Sequence, residues 1–358
     1  MIAFSLRQFR SQGLWGLGAL VAVGVVLLVT GPHLAHLYDS SVAACRSAGG
    51  VGPACSTNAV TSADRALQIA LPAVVLVVPA LVGMFWGAPL VGRELETGTF
   101  RLAWTQSVSR TRWLATKLAS VGAAAAVVAL ALGLMASWWA SPLDKVTQNR
   151  FSPSAFALHG FVPGAYALFA FALGATAGIL FRRTFPAMAV TLAGFVGARL
   201  LVTYDVRPHL LPQTTKTLAL SRDVFGIQID GSGVQIVPQA PDLPNAWVTS
   251  TVIVDAHDRA PSQAFIDKAC SGLPGVNGNP LPGHLGTGGH HGAFPAPGAV
   301  QAAMQQCQST VAASYHAVVT YQPAGHFWAK QGLESLVFAA AAAGLAAVSF
   351  LWVHRRLR

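Results

Sequence analysis

The sequence predicts an all-α integral membrane protein with six transmembrane helices and a small α+β external domain between helices 5 and 6. Three observations predict it. Of the 358 residues, 53% are hydrophobic and only 10% are charged, whereas a soluble domain carries about 25% charge. Six apolar runs, nearly free of charge, reach the roughly 20 residues that a helix needs to cross a hydrocarbon core of about 30 Å. After the fifth run comes a polar stretch too long for a connecting loop, with strand-like and helix-like patterns of its own.

The apolar runs are Leu14 to Leu34, Leu67 to Ala88, Leu118 to Ala140, Phe156 to Phe181, Pro186 to Thr203 and Leu333 to Val353. The first exceeds the 7–15 apolar residues of a secretory signal, and no A-x-A site abuts it, so it reads as a retained anchor. "VAAC" at Val42 to Cys45 resembles a lipoprotein cleavage site, but "HLYDSS" separates it from the apolar run, which argues against lipidation. The expected organisation is residues 1–203 for helices 1–5 with a cytoplasmic loop at 89–117, 204–332 for the external domain, and 333–358 for helix 6 with a basic tail.

Lys and Arg set the orientation, because short loops rich in them stay cytoplasmic. Arg7 and Arg10 precede the first run; Arg93, Arg101, Arg110, Arg112 and Lys117 lie between the second and third; Arg182 and Arg183 separate the fourth and fifth; Arg355, Arg356 and Arg358 follow the sixth. These make up more than half of the 23 basic residues, and only Glu94 and Glu96 oppose them. Both termini are therefore expected in the cytoplasm. The net charge of +10 is explained by residues flanking the spans, where the partner is the lipid bilayer and its anionic headgroups. No stacking aromatics alternate with the basic residues, so nucleic acid is not an expected partner.

All four cysteines fall on the external side: Cys45 and Cys55 in the first external loop, Cys270 and Cys307 in the last external segment. Three pairings are possible. Local closure, Cys45 with Cys55 and Cys270 with Cys307, keeps each bridge in one segment and is the expected arrangement; free thiols are the alternative. Within the external domain "AWVTSTVIVD" reads as a strand and "QAAMQQCQSTVAASYHAVVTY" as a helix running into a strand. The Gly/Pro-rich stretch between them carries His284, His290 and His291, which lack a carboxylate or cysteine partner and read as a solvated loop rather than a metal site. "DAHDR", with Asp255, His257 and Asp258, is a weaker metal candidate still.

No phosphate-binding, dinucleotide, zinc-protease or nucleophile-elbow motif occurs, so the chain is not expected to be an enzyme or to hold a cofactor of its own. Arg199 is the clear ionisable residue within an apolar run; it is expected to snorkel outward or to pair with Asp205.

The densest charge lies in "GRELETGTFRLAWTQSVSRTRWLATK", residues 92–117. Read as a helix from Leu95 to Val108, it places Leu95, Thr99, Leu102 and Gln106 on one side, with Phe100, Trp104 and Val108 opposite and Glu94 and Arg101 on a polar edge. Two narrow stripes suit a helix gripped from both sides, and an interfacial helix in the headgroups fits equally. Gly98 weakens the helix, and Ser109 is the expected N-cap of the third span.

This segment resembles the E-x-E-x-G-T…S-R-x-x-x-x-x-x-K pattern that follows the second span in permeases of ATP-binding cassette (ABC) exporters of the second, drug- and polysaccharide-exporting class. "VTYDVRPHLLP" at 202–212 and "YQPAGHFWAKQGLES" at 321–335 further resemble a bacterial branch of these permeases. The resemblance implies a bacterial plasma membrane, a separate ABC ATPase subunit that binds MgATP, and a second permease copy, as a homodimer. It also implies a coupling helix seated on the ATPase. By position Glu94, Glu96, Gly98, Thr99, Arg110 and Lys117 match the pattern, and Phe100, Arg101 and Trp104 lie on the same segment. The second and fifth spans would line the pathway, which makes Phe85, Trp86, Thr191, Phe195 and Arg199 candidate substrate contacts. A proline common before the S-R pair is replaced by Val108, and the external domain is larger than in many relatives. The expected function is export of a hydrophobic or amphipathic compound. The alternative is a membrane-anchored sensor or scaffold whose external domain binds a ligand or partner.

Overall fold

A computed structural model describes residues 2–47, 62–98, 109–147, 150–221, 224–230, 233–241, 243, 245–273 and 297–356. The chain divides into two compact units, one of Met1–Leu211 with Gly325–Arg358 and the other of Pro212–Ala324.

The first unit is helical. Helix α1 (Ile2–Ser47) is followed by α2 (Ser62–Val82), a π-helical turn (Gly83–Gly87) and α3 (Ala88–Thr97). Next come α4 (Arg110–Thr147), the short α5 (Pro153–Leu158), α6 (Val162–Phe181) and α7 (Thr184–Leu201). A second π turn (Val202–Val206) leads into α8 (Arg207–His209). Among the described residues, six stretches are long and apolar enough to cross a membrane: Gly13–Ser40, Ile69–Thr97, Arg110–Pro142, Val162–Phe181, Thr184–His209 and Ala324–Arg355. They answer one for one to the six apolar runs, with shifted ends. The fourth starts at Val162 rather than Phe156, because Ser152 caps a separate short helix and the chain turns at Gly160 with φ +68°. The second continues to Thr97, where Gly98 adopts φ +73° and closes the helix in the left-handed conformation that glycine favours. The expected unbroken helix from Leu95 to Val108 is therefore interrupted at Gly98: Leu95 to Thr97 belong to α3, and residues 99–108 lie outside the described residues.

Helix α6 is apolar on every side and mostly buried, as a helix packed round by others must be. Its glycines permit backbone contact with the second span. A Cβ at Gly174 would lie 2.2 Å from the Gly83 carbonyl oxygen, and one at Gly178 would lie 2.5 Å from that of Ala88. The Gly83 carbonyl accepts from the Ala88 amide, the i→i+5 bond of the π turn, so the irregular turn and the glycine face meet at one place. The G-A-T-A-G spacing thus marks a real close approach. On the other side, Thr176 Oγ1 donates to the Leu345 carbonyl (3.1 Å) and lies 2.9 Å from Ser349 Oγ, tying α6 to the sixth span. Gly174→Ala is expected to destabilise the helical unit by about 1–3 kcal/mol through overpacking. Gly197→Ala, where nothing stands within 4 Å, should be close to neutral; thermal unfolding of the two variants in one detergent makes the comparison.

The second unit is α+β. Strands β1 (Thr214–Ala219), β4 (Trp247–Val254) and β5 (His316–Gln322) form an antiparallel sheet in the order β1-β5-β4, and β2 (Phe225–Asp230) pairs with β3 (Gly233–Pro238) as a hairpin. Helices α9 (Gln263–Ala269) and α10 (Pro297–Ser314) complete it. The strand expected in "AWVTSTVIVD" and the helix-to-strand passage before Tyr321 both form. Leu220, Phe225, Val234, Ile253, Ile266, Val311 and Val319 build the core, and the fully buried Cys270–Cys307 disulfide lies within it. Cys45 and Cys55, like His284, His290 and His291, lie outside the residues whose side chains are described. The last helix, α11 (Phe327–Arg356), returns to the helical unit.

Candidate functional site

Two polar clusters sit at opposite ends of the helical unit. The first gathers the Glu pair of the 92–117 segment. Glu94, near the end of α3, pairs with Lys117 of α4, whose ammonium is almost fully buried and stands 4.9 Å from the Trp113 ring centroid. Two residues on, Glu96 Oε2 accepts from the Thr184 amide (3.2 Å) and hydroxyl (3.0 Å) at the start of α7. Ser109 caps α4 as expected: its side chain accepts from the Arg112 amide (3.3 Å) and its carbonyl from the Trp113 amide (3.0 Å). Arg110 opens that helix. Behind these groups Val91, Trp113, Leu114, Ile179 and Val353 form an apolar cluster that joins the second, third, fourth and sixth spans. The two glutamates thus fasten the end of the second span to the third and fifth spans. Thr99, Phe100, Arg101 and Trp104 lie outside the described residues.

The second cluster was not expected. Glu334 of α11 is completely buried and accepts two hydrogen bonds from Arg207, Nε to Oε2 at 2.8 Å and an η nitrogen to Oε1 at 3.0 Å. Arg199 reaches the same Oε1 at 3.3 Å, and the Tyr166 hydroxyl donates to it as well. Arg199 therefore pairs with Glu334, not with Asp205, and it stays inside the bundle with its guanidinium 3.9 Å from the Tyr166 ring centroid. Asp205 is exposed. Arg207 lies over the Phe156 ring at 4.1 Å, and Lys330, also buried, donates to the Arg207 carbonyl at 2.8 Å. Glu334 escaped notice because the sixth apolar run starts only one residue before it, so the carboxylate looked like a polar flank. The helical spacing of Lys330 and Glu334 with Phe327 and Phe338 was the signal that the helix began earlier.

The pathway candidates separate into two groups. Thr191, Phe195 and Arg199, with Ala187, form the buried stripe of α7 at a spacing of four. Thr191 Oγ1 bonds the Ala187 carbonyl at 2.6 Å, and the Phe195 ring stands 6.4 Å from that of Phe169 on α6. Phe85 and Trp86 belong to the π turn; Phe85 is 52% exposed, whereas Trp86 is buried.

A further buried pair lies between the third and fourth spans. His159 Nε2 stands 2.6 Å from Asp144 Oδ2, and Nδ1 stands 2.5 Å from the Ala155 carbonyl oxygen. Burial is the largest influence and opposes the charge, but the Asp144 carboxylate and the Ala155 carbonyl outweigh it and hold the imidazole above its ordinary range. A raised folded-state value means that the pair stabilises fully below the ordinary histidine range and weakens as pH rises through the raised one. Thermal stability should therefore fall between mildly acid and alkaline pH, and His159→Gln should flatten that dependence.

In the inserted unit Asp255 accepts from the amides of Arg259 (3.0 Å) and His257 (2.7 Å) and from the Arg259 guanidinium. These bonds, the Arg259 amide foremost, lower its carboxyl to about 2. "DAHDR" is thus a closed turn. Among the described residues no group of three His, Cys, Asp or Glu side chains gathers where a metal could sit.

Six helices among the described residues are long and apolar enough to cross a membrane, which defines a multi-pass membrane protein. Residues 17–207, more than half of the chain, match the family described as ABC-2 membrane transporter related, and the chain belongs to that family. It is accordingly a membrane transport component. Neither the curated proteins nor the solved structures give a significant match to it.

Proposed function

We propose that the chain is the permease of an ABC exporter, with MgATP hydrolysis supplied by a separate ATPase subunit that docks on the segment between α3 and α4. The observation that carries the reading is the pair of glutamate braces. Glu94 holds Lys117 and Glu96 holds Thr184, so a push that reaches the end of α3 is shared among the second, third and fifth spans. A segment tied only by its covalent ends would absorb such a push in loop motion. Thr99, Phe100, Arg101 and Trp104 are the side chains offered to the ATPase, with Gly98 and Arg110 as the turning points.

The basic residues beside Glu94 and Glu96 support a cytoplasmic position for this segment and for both termini. Two copies of the chain complete a pathway between their second and fifth spans. The exported compound is hydrophobic or amphipathic. Purification through a tag on this chain, after co-expression with a candidate ABC ATPase, is expected to yield a complex whose ATP turnover changes on transfer from detergent to lipid. An ATPase that neither stays bound nor responds to lipid contradicts the proposal.

A further inference from the structure

Between α1, α2 and α4 runs a groove of about 250 Å³. Gly16, Leu20 and Val23 form one wall, Val78 and Leu81 another, and Trp86 closes one end. A side chain at position 16 would strike the indole, since a Cβ there would lie 2.6 Å from Trp86 Cζ2; the glycine is what leaves room for the ring to form the end wall. The π turn matters too. The extra residue in its hydrogen-bonded ring rotates Phe85 and Trp86 relative to the regular helix before it, so that adjacent aromatic side chains reach the same groove.

Every lining side chain is apolar, and the residues at the rim, including Ala19, Val74, Leu81 and Phe85, are exposed on helices that cross the membrane. What meets that rim is hydrocarbon, not water. A dry groove open to water would lose van der Waals contacts along its whole length; one open to a bilayer is filled by the chains beside it. At about 250 Å³ the space falls below the roughly 300–1,000 Å³ of a drug-sized site, which suits part of one alkyl chain.

We propose that this groove is a binding site for a single acyl chain of a bilayer phospholipid, taken up laterally between the first and second spans and ending against Trp86. The site does not depend on the transport reading, because it needs neither nucleotide nor a partner.

The test uses the full chain in nanodiscs of phosphatidylethanolamine and phosphatidylglycerol, doped with a phospholipid carrying a diazirine in mid-chain. After illumination, cross-links are mapped by mass spectrometry. Groove residues Val78, Leu81 and Phe85 should be labelled several-fold more than Val190, Leu192 and Leu200, which are exposed on α7. Ala19→Phe, a change at the exposed rim, should remove that excess and leave the α7 labelling unchanged; Val78→Phe, which fills the groove from the opposite wall, should do the same. Equal labelling of groove and α7 overturns the proposal, as does an excess that survives both substitutions in folded protein. An ATPase-free preparation gives the result, so failure here is distinct from failure of the permease assignment.

Discussion

Glu334→Ala is expected to destabilise the helical unit by about 3–5 kcal/mol, the cost of removing one partner from a buried ion pair. The size follows from what remains. Arg199 and Arg207 would be left facing each other, both nearly inaccessible to water, and Tyr166 would lose its acceptor. Glu334 joins three spans through these contacts, so the loss cannot be confined to one helix. Glu334→Gln keeps an acceptor for Tyr166 and for one arginine but loses the charge, and should fall between the wild type and the alanine variant. Glu96→Ala, at an exposed site, should cost less than about 1 kcal/mol. Thermal unfolding in one detergent ranks them; a Glu334→Ala protein as stable as Glu96→Ala would show that the cluster is not a structural tie.

Opening the Cys270–Cys307 disulfide, by Cys270→Ser with Cys307→Ser, is the second large expected effect. The bridge closes a separation of 37 residues, and the chain-entropy account assigns such a loop about 4 kcal/mol. The inserted unit has a small core of which both cysteines are fully buried members, so two serine hydroxyls would also be left in an apolar setting. The effect should stay local. Protease cleavage within residues 212–324 should rise steeply, while the unfolding midpoint of the helical unit changes little. A shift of both together would show that the units unfold as one.

Much of this architecture was legible because a bilayer demands long apolar helices and cannot hide them. Six apolar runs answer to six helices among the described residues. The strand Trp247–Val254 was legible from β-branched and aromatic residues, and the α10-to-β5 passage from the change of period after Ser314. The helix ends were not. Arg207 and Lys330 are charged, so an apolar-run criterion stops short of them; the structure extends the fifth and sixth spans to include them, with Arg207 paired to Glu334 and Lys330 bonded to the Arg207 carbonyl inside the bundle. Arg199 was visible as an oddity, but its partner lies 135 residues away on another helix, and no local pattern points there. In the connecting segment, Gly98 as a breaker and Ser109 as a cap were readable from chemistry alone. That Glu94 would reach Lys117, and Glu96 Thr184, was not readable in the sequence.

The central claim is that the glutamate braces carry the force of ATP hydrolysis into the spans. The most direct measurement is ATP turnover by the partner ATPase, bound to the reconstituted permease, for wild type, Glu94→Gln, and the exchanged pair Glu94→Lys with Lys117→Glu. Losing a charge-assisted bond worth about 1.5–3 kcal/mol predicts that Glu94→Gln lowers permease-dependent turnover by about tenfold or more without releasing the ATPase, and that the exchange restores part of it. Turnover unchanged by Glu94→Gln, with the complex intact, would contradict the account.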